Sequence, residues 1–108
     1  MPSSVDVVIV GAGPYGLSLA AHLSAVGVDY RIFGEPMGAW KDSMPAGMLL
    51  KSYPWATNLS DPGDELTVKQ FCVERGLPYS DSLMPLPVGT FISYGEAFQK
   101  RFAPRVLE

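Results

Sequence analysis

The hexapeptide Gly11-Ala12-Gly13-Pro14-Tyr15-Gly16 constrains the fold of this chain more than any other feature, because of what stands on either side of it. Before it, Val5, Val7, Val8, Ile9 and Val10 surround Asp6 and end at Gly11, the pattern of a strand buried on both faces. After it, Gly13 and Pro14 suit a helix start, since proline at the first helical position gives up an N–H that would have no partner. Leu17, Ala20, Ala21 and Ser24 then form a stripe of mostly small residues, and Gly27 supplies a stop, so a helix over Pro14 to Val26 is predicted. Tyr30, Ile32 and Phe33 alternate with Arg31 and end at Gly34, which reads as a second strand. The unit is strand, helix, strand, with G-x-G-x-x-G in its first turn.

Each glycine of that pattern has a physical duty. The first makes a tight turn, the second lets backbone approach a pyrophosphate, and the third lets helix and strand pack closely. The unpaired N–H groups of the first helical turn and the helix dipole would face the anion. The competing reading is a glycine-rich turn that binds nothing. A dinucleotide site also wants an acid about 20 residues beyond the glycines, to accept from ribose hydroxyls. Glu35 is the carboxylate nearest that place, one residue past Gly34; its alternative is a solvated loop charge.

Beyond Gly34 the pattern changes. Pro36, Pro45, Pro54 and Pro62 punctuate an apolar stretch without sustained periodicity, in which only Met48 to Lys51 suggests a brief strand. Trp40, Tyr53 and Trp55 flank this stretch and read either as packing on a ligand or as core under a long loop, the core reading being preferred for Tyr53 and Trp55. Lys41, Lys51 and Ser52 are within the same stretch and are read as surface groups or phosphate contacts. Thr67 and Gln70 form a capping box, with Leu66 and Phe71 placed as a staple and Gly76 as a stop, predicting a helix over Val68 to Arg75. A second box, Ser93 with Glu96, predicts a last helix through Phe102, stopped by Pro104. The expectation is one α/β domain over 1–108: a Rossmann-like βαβ unit at 1–34 with an incomplete parallel sheet, then a loop-rich extension at 35–108 with two further helices.

Composition excludes several functions. Lys and Arg number 8 against 11 Asp and Glu, for a net charge of −3, so little is available to neutralise nucleic-acid phosphates. The 11 glycines and 10 prolines fill about a fifth of the 108 residues, against roughly 12% in average usage, so much of the chain is turn and loop. Cys72 is the sole cysteine, which rules out an internal disulfide and fits a reducing, cytoplasmic setting. It reads as a small buried hydrophobe. His22 lies within the first helix with no Cys or His partner at ligand spacing, so no metal site is expected. Val7 to Leu23 follows an acid rather than a basic segment and is broken by Pro14, so neither a signal peptide nor a membrane span is expected.

Val8 to Leu17, VIVGAGPYGL, together with Gly38-Ala39-Trp40, resembles the FAD-binding N-terminus of the flavin-dependent monooxygenase superfamily, which includes flavin-containing and N-hydroxylating monooxygenases. Phe33 to Met37 and Met44 to Met48 resemble a subgroup of FAD-dependent or NAD(P)-binding oxidoreductases. The resemblance implies that Gly11, Gly13 and Gly16, with Pro14 and Tyr15 between them, hold the FAD pyrophosphate. It further implies that Glu35 serves the ribose and Trp40 lines the ribose or flavin. Three positions depart from the family pattern: Gly34 stands where the strand-end acid is usual, Ala39 interrupts the double glycine before tryptophan, and Tyr15 replaces a small residue.

Family members are several times longer, which implies that this chain corresponds to the front of an oxidoreductase, a monooxygenase using FAD and NAD(P)H on a small molecule. No residue here is assigned a catalytic role, and no second G-x-G-x-x-G for NAD(P)H occurs. The lone Cys72 cannot form the cysteine pair that disulfide reductases of this fold place beside the flavin. Two alternatives stay open: an NAD-binding dehydrogenase module, and a fragment without activity of its own.

Overall fold

In the computed structural model, which describes residues 5–45, 47–81 and 84–107, the elements in order are β1 (Val7–Val10), α1 (Pro14–Ala25), β2 (Tyr30–Phe33), α2 (Gly38–Ser43), a 3-10 turn (Pro54–Ala56), α3 (Val68–Arg75) and α4 (Val88–Phe102). β1 and β2 pair in parallel, Val7 opposite Tyr30 and Val10 opposite Phe33. α1 crosses between them and buries Leu17, Ala20 and Ala21, the small side chains that let a helix lie close to a sheet. The β-α-β start therefore forms where the sequence places it.

Leu107 extends the sheet. It bridges Phe33 in parallel, donating its N–H to the Ile32 carbonyl at 2.9 Å and accepting from the Gly34 N–H at 2.7 Å. β1 uses the other edge of β2, where the Phe33 carbonyl accepts from Gly11 N–H at 2.8 Å. The order is thus β1, β2, then the Leu107 segment, with α4 returning the chain after β2 as α1 does after β1. The expected incomplete parallel sheet is present.

Burial of β1 on both faces is not. Ile9 and Ile32 face each other across the ladder and are buried under α1. On the opposite face Val8, Val10 and Phe33 are 58%, 87% and 41% exposed. A parallel sheet needs a layer on each side, and the described residues supply helices to one.

In the second half α3 follows its capping box as expected. The Thr67 hydroxyl accepts from the Gln70 N–H at 3.2 Å, the Gln70 side chain accepts from the Thr67 N–H at 2.8 Å, and Gly76 ends the helix at φ 66°. The last helix is longer than predicted. It opens at Val88 with Pro87 as its N-cap, so Ser93 and Glu96 lie in mid-helix and form no cap. The apolar stripe Val88, Phe91, Tyr94, Gly95 and Phe98 is buried and carries the helix through Gly89, since burial of a whole face outweighs the roughly 1 kcal/mol penalty of one glycine. Two short elements, α2 and the 3-10 turn, arise in the stretch read as irregular. The brief strand at Met48 to Lys51 is reduced to one antiparallel bridge, Leu49 to Pro87.

α4 is the spine of the core. Tyr94 is fully buried, edge-on to Phe71 at 5.8 Å and to Phe98 at 6.4 Å. Its hydroxyl donates to the Leu66 carbonyl at 2.8 Å and accepts from the Leu59 N–H at 2.9 Å. Between those two residues the buried Asp61 carboxylate accepts from the N–H groups of Gly63, Glu65 and Leu66. The proline-rich connection is held to α4 by these bonds.

Candidate functional site

The three glycines of the first turn are required for three different reasons. Gly11 leaves β1 at φ 110°, a conformation a side chain strains. A Cβ on Gly16 would be driven into the Gly11 carbonyl oxygen and would stand 3.3 Å from Ile9 Cγ2, so this glycine sets the approach of α1 to β1. Gly13, the N-cap of α1, has an ordinary φ of −86°, and a Cβ there would meet nothing within 4 Å. An N-cap position itself favours glycine over alanine, and the space above this one is open. Pro14 occupies the first turn of α1, no side chain caps that helix, and Tyr15 is 93% exposed beside the same opening.

The loop after β2 closes against this turn. Gly34 has φ 135°, and a Cβ on it would come within 3.1 Å of the Ala12 amide nitrogen, so an acid at the strand end would be strained in this conformation. The carboxylate is delivered one residue later. The Met37 N–H donates to the Ala12 carbonyl at 2.9 Å, fixing the Glu35 loop to the middle of the glycine turn. Glu35 itself is exposed, and its Oε2 accepts from Lys41 Nζ at 3.3 Å. Lys41 also meets Glu96 Oε2 of α4 at 3.0 Å. Lys41, read as a surface group or phosphate contact, is an ion-pair centre.

Trp40 on α2 is half-buried and lies edge-on to Phe91 of α4, ring centres 4.8 Å apart. Both rings line a cavity of about 410 Å³ that also touches Pro14, Tyr15, Ser52 and Asn58. It opens beside the N-terminus of α1, where Pro14 and Tyr15 line it. A larger cavity, about 600 Å³, is lined by Asp29, Tyr30, Arg105 and Leu107. No residue of the first turn lines it, whereas Pro14 and Tyr15 line the smaller one.

The sequence reading of Tyr53 and Trp55 as core is corrected. They stack on each other at 6.3 Å and are 58% and 57% exposed, because the 3-10 turn buries Pro54 and directs both rings outward. Lys51 is exposed, and the Ser52 hydroxyl pairs with that of Thr57 at 2.9 Å. His22 Nε2 bonds the Ser60 hydroxyl at 2.8 Å. Cys72 is fully buried on α3, as expected, and burial pushes its thiol pKa up. Among the described residues no grouping of three His, Cys, Asp or Glu could hold a metal ion, and no helix is long and apolar enough to cross a membrane.

Met37 and Phe91 are not singled out by the sequence, and Glu96, read there as half of a capping box, is instead an ion-pair partner of Lys41. Met37 is buried in a left-handed conformation, φ 58°, that no methionine advertises. Phe91 and Glu96 belong to a helix whose start was misplaced.

A parallel βαβ unit with this turn, with open space over its second glycine and a carboxylate after its second strand, is a dinucleotide-binding fold. Residues 4–39 match the family model described as FAD binding domain. Across nearly its full length the chain shares the fold of flavin-dependent monooxygenases and FAD/NAD(P)-dependent oxidoreductases. The flavin-containing monooxygenase from Stenotrophomonas maltophilia is 23% identical with a TM-score of 0.70, over 99% of this chain and 29% of that one. Bacillithiol disulfide reductase from Staphylococcus aureus is 17% identical with a TM-score of 0.71, over 94% and 27%. An oxidized steroid monooxygenase bound to NADP is 23% identical with a TM-score of 0.67, over 96% and 19%. The chain therefore spans less than a third of each of these structures. None of the curated proteins matches it.

Proposed function

We propose that this chain is the FAD-binding front of an oxidoreductase, a monooxygenase that uses NAD(P)H on a small molecule. The observation that carries the reading is the first turn itself, a glycine-rich connection from β1 of the parallel pair to α1 with open space above its second glycine, within the residues 4–39 that match the FAD binding domain model. Gly11, Gly13, Gly16 and the first-turn N–H groups after Pro14 would hold the pyrophosphate. Glu35 would accept from the adenosine ribose, and Tyr15 and Trp40 would border the flavin end in the 410 Å³ cavity. When bound, FAD supplies the redox and oxygen chemistry, and the chain's part is to bind and orient it.

The fold alone is shared by monooxygenases and a disulfide reductase. The monooxygenase reading is preferred on the resemblance of Val8 to Leu17 and Gly38-Ala39-Trp40 to that superfamily, and Cys72, buried on α3, takes no part in the site at the first turn. Trp40 and the proline-rich stretch after β2 argue against an NAD-binding module. The test is titration of the chain with FAD, NAD and ADP, with the Gly13→Val variant alongside. FAD is expected to bind the parent more tightly than NAD, and Gly13→Val to abolish binding while the fold, read by circular dichroism, persists. Full FAD occupancy in Gly13→Val sinks the assignment, and tighter binding of NAD than FAD transfers it to the dehydrogenase reading.

A further inference from the structure

We propose that Lys41 is a positioning residue for the adenosine half of this site, holding the Glu35 carboxylate at the ribose and anchored in turn by Glu96 of α4. The inference rests on the ribose role of Glu35 and adds to it the means by which that acid is aimed.

Glu35 begins as a poor ribose ligand. It follows a glycine at φ 135°, it is exposed, and a glutamate side chain of that kind gives up considerable rotamer freedom when it is fixed. The ion pair with Lys41 narrows that freedom before any ligand arrives. Lys41 engages Oε2, leaving Oε1 to accept from a hydroxyl. Lys41 is itself steadied from the far side by Glu96, at 3.0 Å, a shorter contact than the 3.3 Å to Glu35. The hydrogen bond to Glu96 above all, aided by that to Glu35 and opposed by partial desolvation, keeps the ammonium charged to higher pH than usual. Two carboxylates around one ammonium leave one negative charge, so Glu35 keeps the capacity to accept from ribose. The backbone brackets the same geometry, since Lys41 N–H donates to the Met37 carbonyl and Met37 N–H to Ala12 of the glycine turn.

The experiment measures binding of ADP and of 2′,3′-dideoxy-ADP, which lacks the ribose hydroxyls, to the chain and its variants. Lys41→Met is expected to weaken ADP about two- to fivefold, the range for a partly exposed ion pair, and to leave the dideoxy ligand unchanged. Lys41→Arg should restore ADP binding, and Glu96→Gln should give a smaller loss, again confined to ADP. Equal losses for both ligands in Lys41→Met overturn the proposal, because a phosphate contact or a general loosening would produce them. Parent-like ADP binding in Lys41→Met, with a loss in Glu35→Ala, overturns the proposal and keeps the ribose reading. Parent-like ADP binding in Glu35→Ala removes both.

Discussion

The side chain of Met37 lies directly on the bare α-carbon of Gly95. A Cβ at position 95 would stand 2.6 Å from Met37 Cγ and 2.8 Å from its Cε. Through this contact the middle of α4 supports the residue whose N–H holds the glycine turn by the Ala12 carbonyl. Gly95→Ala is expected to destabilise the chain by about 1 to 3 kcal/mol, the usual range for overpacking. Gly89, on the same helix, supplies the control. A Cβ there meets nothing within 4 Å, so Gly89→Ala should stabilise by about 0.4 to 1 kcal/mol through the unfolded chain. Thermal denaturation of the pair reads both signs.

The glycines of the first turn should separate in the same way. Gly16→Ala, which forces α1 away from β1, is expected to lower stability by about 1 to 3 kcal/mol with or without ligand. Gly13→Ala places its methyl in open space and should cost no more than the cap preference, about 1 kcal/mol or less, while weakening FAD. Denaturant unfolding with and without FAD distinguishes the two, and a Gly13→Ala chain as unstable as Gly16→Ala contradicts the division of roles.

That division was legible in the sequence because it is local. β1, α1, β2 and their turn follow from residue types within about 29 positions of one another, and the capping box of Thr67 and Gln70 places α3 by the same logic. The parts that were not legible depend on distant partners. The start of α4 turns on an apolar face that is recognisable only once Gly89 is allowed inside a helix, and Ser93 with Glu96 mimics a cap without forming one. Glu35 was visible as the nearest acid, whereas its partner Lys41, six residues on, and Glu96 on another helix are brought together by packing. The outward turn of Tyr53 and Trp55 likewise reflects a 3-10 turn around Pro54 rather than any preference of aromatic residues.

Tyr94 gives the chain an alkaline limit. Burial first, and the charge of Asp61 further, push its pKa far above the ordinary value of 10.0, although the bond from the Leu59 N–H acts the other way. Tyr79 is pushed up to about 12 by burial and by its bond to Asp81. A folded state that keeps these protons longer than the unfolded chain has their full contribution below about pH 10 and loses it as pH rises through the folded pKa values. The melting temperature is therefore expected to fall above about pH 10. Tyr94→Phe should flatten that decline and lower stability at neutral pH by about 1 to 3 kcal/mol, because the Leu59 N–H and the Leu66 carbonyl lose their buried partner. An unchanged pH profile in Tyr94→Phe shows that other groups set the limit.

The open face of the sheet makes the last prediction. Val8, Val10, Phe33 and Leu107 are all more than 40% exposed, and no element among the described residues lies over them. An uncovered parallel sheet contributes apolar area to self-association instead of to a core. The chain by itself is expected to scatter light at micromolar concentration and to melt below about 60 °C, within or under the usual range for a small domain. Val10→Lys places a charge at the most exposed of these positions and should suppress association while changing stability by less than about 0.5 kcal/mol. Static light scattering and thermal denaturation of parent and variant decide it. A Val10→Lys chain that melts several degrees lower would mean that this face is packed in solution, and the single covered face of the sheet would then be the wrong account of how the fold is held.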